Sequence, residues 1–235
     1  MMLMALAVTL ALCVAGSSGF VSLTKTTQVR RLQEGPPAGS SLSESEYDGL
    51  RHLLEATNDT TLTTLYRASV DGTAYGDMLD RVENKTELVI VIRNAQYVFG
   101  VYIRDGIRLP DDPTGTHEYH PYMWWFSLAG HYSNPTKMRL TPPELDVEVA
   151  GREGGSVPSG SSVYARVYVG GGFMLGRAGP DSGRPATDIR NCRSSMWWGT
   201  VSAAGDYMGV SVGSRALLGG SEVFVADEIE MLTVE

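Results

Sequence analysis

The sequence predicts an α+β chain that is mainly β: a two-sheet antiparallel β-sandwich with short flanking helices. Three observations carry this prediction. From Glu87 onward, runs rich in β-branched and aromatic residues alternate with turn residues. Prolines recur from Pro110 through Pro113, Pro121, Pro135, Pro142, Pro143, Pro158 and Pro180 to Pro185, which excludes long helices from the second half. Two near-repeats, Met123-Trp124-Trp125-Phe126 and Met196-Trp197-Trp198-Gly199, set tryptophans side by side. Neighbours on a strand point to opposite faces, so both faces of those strands must be covered. Sheets packed face to face, with helices at their edge, satisfy that demand.

Taken in order, the chain opens with Met1 to Ala15, where Thr9 alone is not apolar, followed by Gly16-Ser17-Ser18-Gly19. Residues 1–19 read as a secretory signal peptide cut near the small residues, or as an uncleaved anchor. The run is shorter than the roughly 20 apolar residues of a membrane-spanning helix. Residues 20–42, rich in Ser, Thr, Gly and Pro without apolar periodicity, read as a disordered linker. Ser43-Glu44-Ser45-Glu46 fits a capping box, with Leu42 and Tyr47 at the positions of a hydrophobic staple. Tyr47, Leu50, Leu53 and Leu54 then recur at helical spacing, which predicts a short amphipathic helix within 43–57. Tyr75, Met78, Leu79 and Val82 make a second helical stripe.

Strands are expected at Leu88 to Arg93 and Tyr97 to Arg104, joined as a hairpin through Asn94-Ala95-Gln96. Further strands are expected at Met123 to Leu128, Ser162 to Val169, Gly209 to Val212, Glu222 to Val225 and Glu228 to Val234. Ile90, Ile92, Phe99, Val101, Phe126, Leu128, Val167 and Ile229 should form the core.

Composition narrows the function classes. Lys and Arg number 19 against 27 Asp and Glu, a formal charge of −8. A nucleic-acid binder needs a clustered basic surface, so that class is excluded. No stretch after the leader approaches the roughly 18 consecutive apolar residues of a membrane span. With Cys13 in the leader, Cys192 is the lone thiol of the mature chain. Arg190 and Arg193 flank it, and their charge would lower its pKa, which makes Cys192 the candidate redox thiol. Asn58 and Asn84 begin N-x-[ST] sequons and are candidate glycosylation sites if the leader is used.

Other motifs favour no chemistry. Gly209-Val210-Ser211-Val212-Gly213 matches a nucleophile elbow, but the acid and histidine of that fold follow the serine, and the last histidine here is His131. His117 and His120, with His131, Asp111 and Asp112, form a cluster with metal-ligand chemistry. Pro113 and Pro121 prevent a helix there, so these histidines are expected to be solvated loop residues. Asp146, Glu148, Asp227, Glu228 and Glu230 alternate with apolar neighbours, as outward-facing strand residues do. The sequence therefore predicts no enzyme, no metal and no cofactor.

The motifs in their order resemble a family. Leu65-Tyr66-Arg67-Ala68-Ser69-Val70-Asp71-Gly72, Val98-Phe99-Gly100-Val101-Tyr102, Trp125-Phe126-Ser127-Leu128, Leu217-Leu218-Gly219-Gly220-Ser221 and Val223 to Leu232 are similar to successive segments of TLDc domains. That module belongs to the oxidation-resistance proteins, and the resemblance covers roughly residues 62–235. It implies a β-sandwich and a non-enzymatic role in protection against oxidative stress through protein contacts. It also implies a protein partner, which for some members is the vacuolar proton pump. The alternative is a secreted β-sandwich that binds a ligand such as a glycan, for which an exposed row of Trp and Tyr would be the sign. The leader points to the secretory pathway or the extracellular space; if it is spurious, the chain belongs in the cytosol.

Overall fold

The computed structural model describes residues 35–140, 145–155, 163–197 and 206–235. The predicted leader and most of the predicted linker lie outside these residues. Two six-stranded antiparallel sheets dominate the rest.

The first sheet is built from β1 (Leu62–Arg67), β2 (Leu88–Asn94), β3 (Tyr97–Ile103), β5 (Met123–Ala129), β6 (Thr136–Met138) and β15 (Glu228–Val234), in the order β1-β15-β2-β3-β5-β6. The second contains β4 (Thr116–Tyr119), β7 (Val147–Ala150), β8 (Val167–Val169), β9 (Phe173–Leu175), β10 (Asn191–Ser194) and β14 (Val223–Val225), in the order β14-β10-β9-β8-β7-β4. A small third sheet joins β11 (Met196–Trp197), β12 (Ser211–Val212) and β13 (Arg215–Ala216).

Strand alternation decides which side chains meet where. Leu88, Ile90 and Ile92 of β2 point into a core shared with Val147, Val149, Val167 and Val169 of the second sheet. Val89 and Val91 point the other way, into a second cluster with Tyr47 and Leu50 of α1 (Glu44–Leu53). The first sheet is thus covered on both faces, by the second sheet on one side and by α1 on the other. That is why β2 reads as a continuous apolar run. The Trp124-Trp125 pair follows the same logic, since Trp125 enters the inter-sheet core and Trp124 the α1 side. All eight predicted core residues are buried.

The helix is placed by the capping box read from sequence. The Ser43 hydroxyl accepts from the Glu46 amide while the Glu46 carboxylate accepts from the Ser43 amide at 2.8 Å. The stripe Tyr75, Met78, Leu79 and Val82 forms α3 (Tyr75–Val82), buried in the inter-sheet core, after a four-residue α2 (Ala68–Asp71). Between them Gly72 takes φ +107°, a conformation a side chain rarely adopts. On β3, a Cβ at Gly100 would stand 1.9 Å from the Ile90 carbonyl oxygen, so the β2–β3 pairing needs glycine there.

Several expectations are corrected. The strand expected from Ser162 is described only from Val167 to Val169, and the one expected from Gly209 only at Ser211 and Val212. His117 lies on β4, paired with Val149, instead of in a loop. The described end of the expected linker is bound to the first sheet, with Leu42 buried.

Candidate functional site

The predicted redox thiol sits deep in the molecule. Cys192 belongs to β10, is 0% exposed, and directs its Sγ at the Ile189 carbonyl 3.8 Å away. The flanking arginines serve other partners: Arg190 pairs with Asp188 and Arg193 with Glu222, each at 2.8 Å. Burial pushes the thiol's pKa up, with the Asp188 charge adding to it, which is the reverse of the expected lowering. Asn58 and Asn84 are both exposed, so a glycan at either would stand in solvent.

The histidines do not converge. His117 is on β4, while His52 on α1 and His120 are exposed. His131 is not a solvated loop residue, as the sequence suggested; it is fully buried. Its Nε2 lies 2.7 Å from the Leu218 carbonyl, which only accepts, so that nitrogen carries the proton. Nδ1 then accepts from the Ser127 hydroxyl at 2.8 Å. Tyr97 and Tyr207 stack on the ring. Burial lowers the His131 pKa to about 4, so the imidazole is neutral near pH 7. A serine–histidine pair at this distance is the geometry of an activated nucleophile. Here, however, Ser127 is only 1% exposed and the second ring nitrogen is held by a carbonyl, so the pair ties β5 to the Leu218 segment. Ser211 is exposed on β12, which turns directly into another strand, so the strand-to-helix elbow of a serine hydrolase is not formed.

Sequence reasoning missed a buried polar network. Glu228 and Glu230 of β15 were expected to face outward, yet they are 6% and 0% exposed. Glu230 Oε2 accepts from the Ser41 amide at 2.7 Å and from the Ser41 hydroxyl, and Oε1 accepts from Thr64 Oγ1 at 2.8 Å. Glu228 pairs with Arg67 at 2.9 Å and accepts from the Ser69 hydroxyl and amide. Burial alone would raise the Glu228 pKa, but the bonds from Ser69 and Arg67 outweigh it and the net shift is downward. Arg67 also donates to the Gly39 carbonyl, and Arg93 bridges Glu46 and the Ser41 carbonyl. Residues 39–46 are thereby strapped to the first sheet. The signal in the sequence was the ladder itself: a carboxylate on a strand with neighbours on both sides lies beneath whatever covers the sheet.

Apart from Val223 and Val225 on β14, one group of exposed apolar residues gathers at the third sheet and the segment leading into it. Trp197, Arg215 and Val212 are in register across its strands and share a face. The alternate row turns inward, with Met196 and Ala216 buried in the core. Val212 is 64% and Met208 65% exposed, with Val210 beside them. The Arg215 guanidinium lies 4.4 Å from the Trp197 ring centroid. Tryptophan, methionine and arginine are the residue types enriched where proteins meet. A glycan site would need a row of exposed aromatics; instead Trp124 and Trp125 are buried, Trp197 is half exposed, and Trp198 lies outside the described residues.

Residues 38–122 match the family model of the TLDc domain, from the strapped segment ahead of α1 to the residue before β5. No curated protein matches the chain.

Proposed function

From the match of residues 38–122 to the TLDc family model we propose that this chain is a TLDc-domain protein that protects against oxidative damage as a non-catalytic module engaging a protein partner. The observation that carries the proposal is the exposed apolar group at the third sheet, where Val212 stands in register with Arg215 and Met208 and Val210 lie exposed in the segment leading into β12. Exposed apolar groups clustered beside a guanidinium suit a protein contact better than a solvated surface. The vacuolar proton pump is the first partner to test, and it is reachable only if the chain resides on the cytosolic side.

The test is rescue of peroxide sensitivity in cells lacking the chain, using wild type and the double variant Met208→Lys, Val212→Asp. Rescue by wild type and loss of rescue in a folded double variant is the expected result. Equal rescue by both would remove the surface from the argument. Purified chain that turns over many equivalents of peroxide, in a manner abolished by Cys192→Ser, would overturn the non-catalytic reading. A tagged full-length chain located in its own cell decides which compartment, and so which partner, is available.

A further inference from the structure

On the α1 side of the first sheet, a cavity of about 180 Å³ is lined by Tyr102, Tyr122, Trp124, Glu55, Glu87 and Lys137, among others. Tyr102 and Trp124 stack with centroids 5.4 Å apart, and Tyr122 meets Tyr102 edge to face at 6.3 Å. Two carboxylates flank these rings. Glu87 accepts from the Tyr102 hydroxyl, and its backbone is fixed at both ends, by the Arg104 carbonyl at 2.7 Å and the Val234 amide at 3.1 Å.

Both glutamates stand where glycine or asparagine would be the default. Glu55 follows the C-cap of α1 with φ +56°, and Glu87 enters β2 with φ +52°. Left-handed backbone at a glutamate is uncommon, and here it occurs twice on the rim of one cavity.

The cavity already shows what chemistry it accepts. The Lys137 ammonium lies 4.1 Å from the Trp124 centroid and 3.7 Å from Glu55, and its side chain is only 19% exposed. Aromatic faces backed by carboxylates are the surroundings in which an alkylammonium ion is held by ring quadrupoles and charge together. We propose that this cavity is an alkylammonium-binding site that Lys137 fills as an internal occupant, and that a methylated lysine side chain or a free quaternary amine takes its place. A quaternary ammonium is less strongly hydrated than lysine's own head group, so it loses less on leaving water and competes for the rings. This site involves neither Cys192 nor the third sheet, and stands apart from the function proposed above.

The test uses the purified chain, wild type and Lys137→Met, titrated with choline, with its neutral isostere 3,3-dimethylbutanol, and with a short peptide carrying trimethyllysine. Indole fluorescence and the Trp124 indole N–H resonance report binding. Lys137→Met should bind choline roughly tenfold more tightly than wild type, a factor within the range of a desolvated cation–π contact. The isostere should not bind comparably, and adding Glu87→Gln to Lys137→Met should weaken choline while the thermal midpoint confirms folding. Tighter binding of the peptide than of choline assigns the site to a side chain of a partner, and the reverse assigns it to a free amine. No saturable binding to Lys137→Met, or equal binding of choline and its isostere, would overturn the proposal.

Discussion

Mild acid should weaken this protein through His131 before its carboxylates begin to protonate. The imidazole titrates near 6.5 in an unfolded chain and at about 4 in the folded one, chiefly because burial disfavours its charged form. Between those values the unfolded state binds more protons, so stability falls as pH falls. The loss begins near pH 6.5, is complete near pH 4, and does not grow further below that. A shift of this size corresponds to about 3 kcal/mol, a large share of a typical domain's stability. The lowered carboxyl groups of Glu46, Asp188 and Glu228 add their own loss only as pH falls below the ordinary carboxylate range. Urea unfolding at intervals from pH 7.5 to 4.5 measures the slope in wild type and in His131→Gln, which retains a donor for the Leu218 carbonyl. The variant will start less stable, but its stability should change little between pH 6.5 and 5, where wild type loses about half of the His131 contribution. Parallel slopes in the two proteins, or a His131 resonance that titrates near 6.5 in folded protein, would refute the reasoning.

Other outcomes follow from the same structure. Glu230→Ala strands the Ser41 and Thr64 donors and should cost about 1–3 kcal/mol in denaturant unfolding, whereas Glu230→Gln should cost clearly less because its amide can still meet both. Gly100→Ala forces a methyl group against the Ile90 carbonyl and should abolish soluble folded protein, which a circular-dichroism melt of any recovered material would check. A thiol reagent should label Cys192 in strong denaturant but only at the rate of global opening in native buffer; fast native labelling would show a reachable thiol. If the chain passes through the secretory pathway, Asn58→Gln and Asn84→Gln should each remove one glycosidase-sensitive mass step on a gel.

Much of the first sheet was legible because its strands are long. Leu88 to Arg93, Tyr97 to Arg104 and Glu228 to Val234 carry enough β-branched residues for pattern and length to agree, and the structure matches each within a residue. The second sheet was harder because β8, β9 and β14 have three residues each, too few to display a period. The buried carboxylates failed for a different reason. Alternation tells which residues share a face of β15, but not that α1 and the segment before it cover that face. Cys192 failed likewise: adjacency to Arg190 and Arg193 in sequence said nothing of Asp188 and Glu222, which hold their charge. The cavity around Trp124 gathers residues from the end of α1, the start of β2, β3, β5 and β6, and no local pattern could have collected them.

The strand that holds Glu228 and Glu230 lies inside its sheet, hydrogen-bonded to β1 on one side and β2 on the other. Thr64 and Glu230, which touch in the folded protein, are 166 residues apart in the chain. During synthesis β1 and β2 therefore emerge with an empty lane between them, and nothing made in the interval can fill it. The domain cannot close progressively as it leaves the ribosome, and until the last lane is supplied its two strands present raw edges to their surroundings. A stop codon just ahead of Glu228 would thus withdraw the strand seated between β1 and β2 and leave a nascent chain whose fate rests with chaperones and proteases.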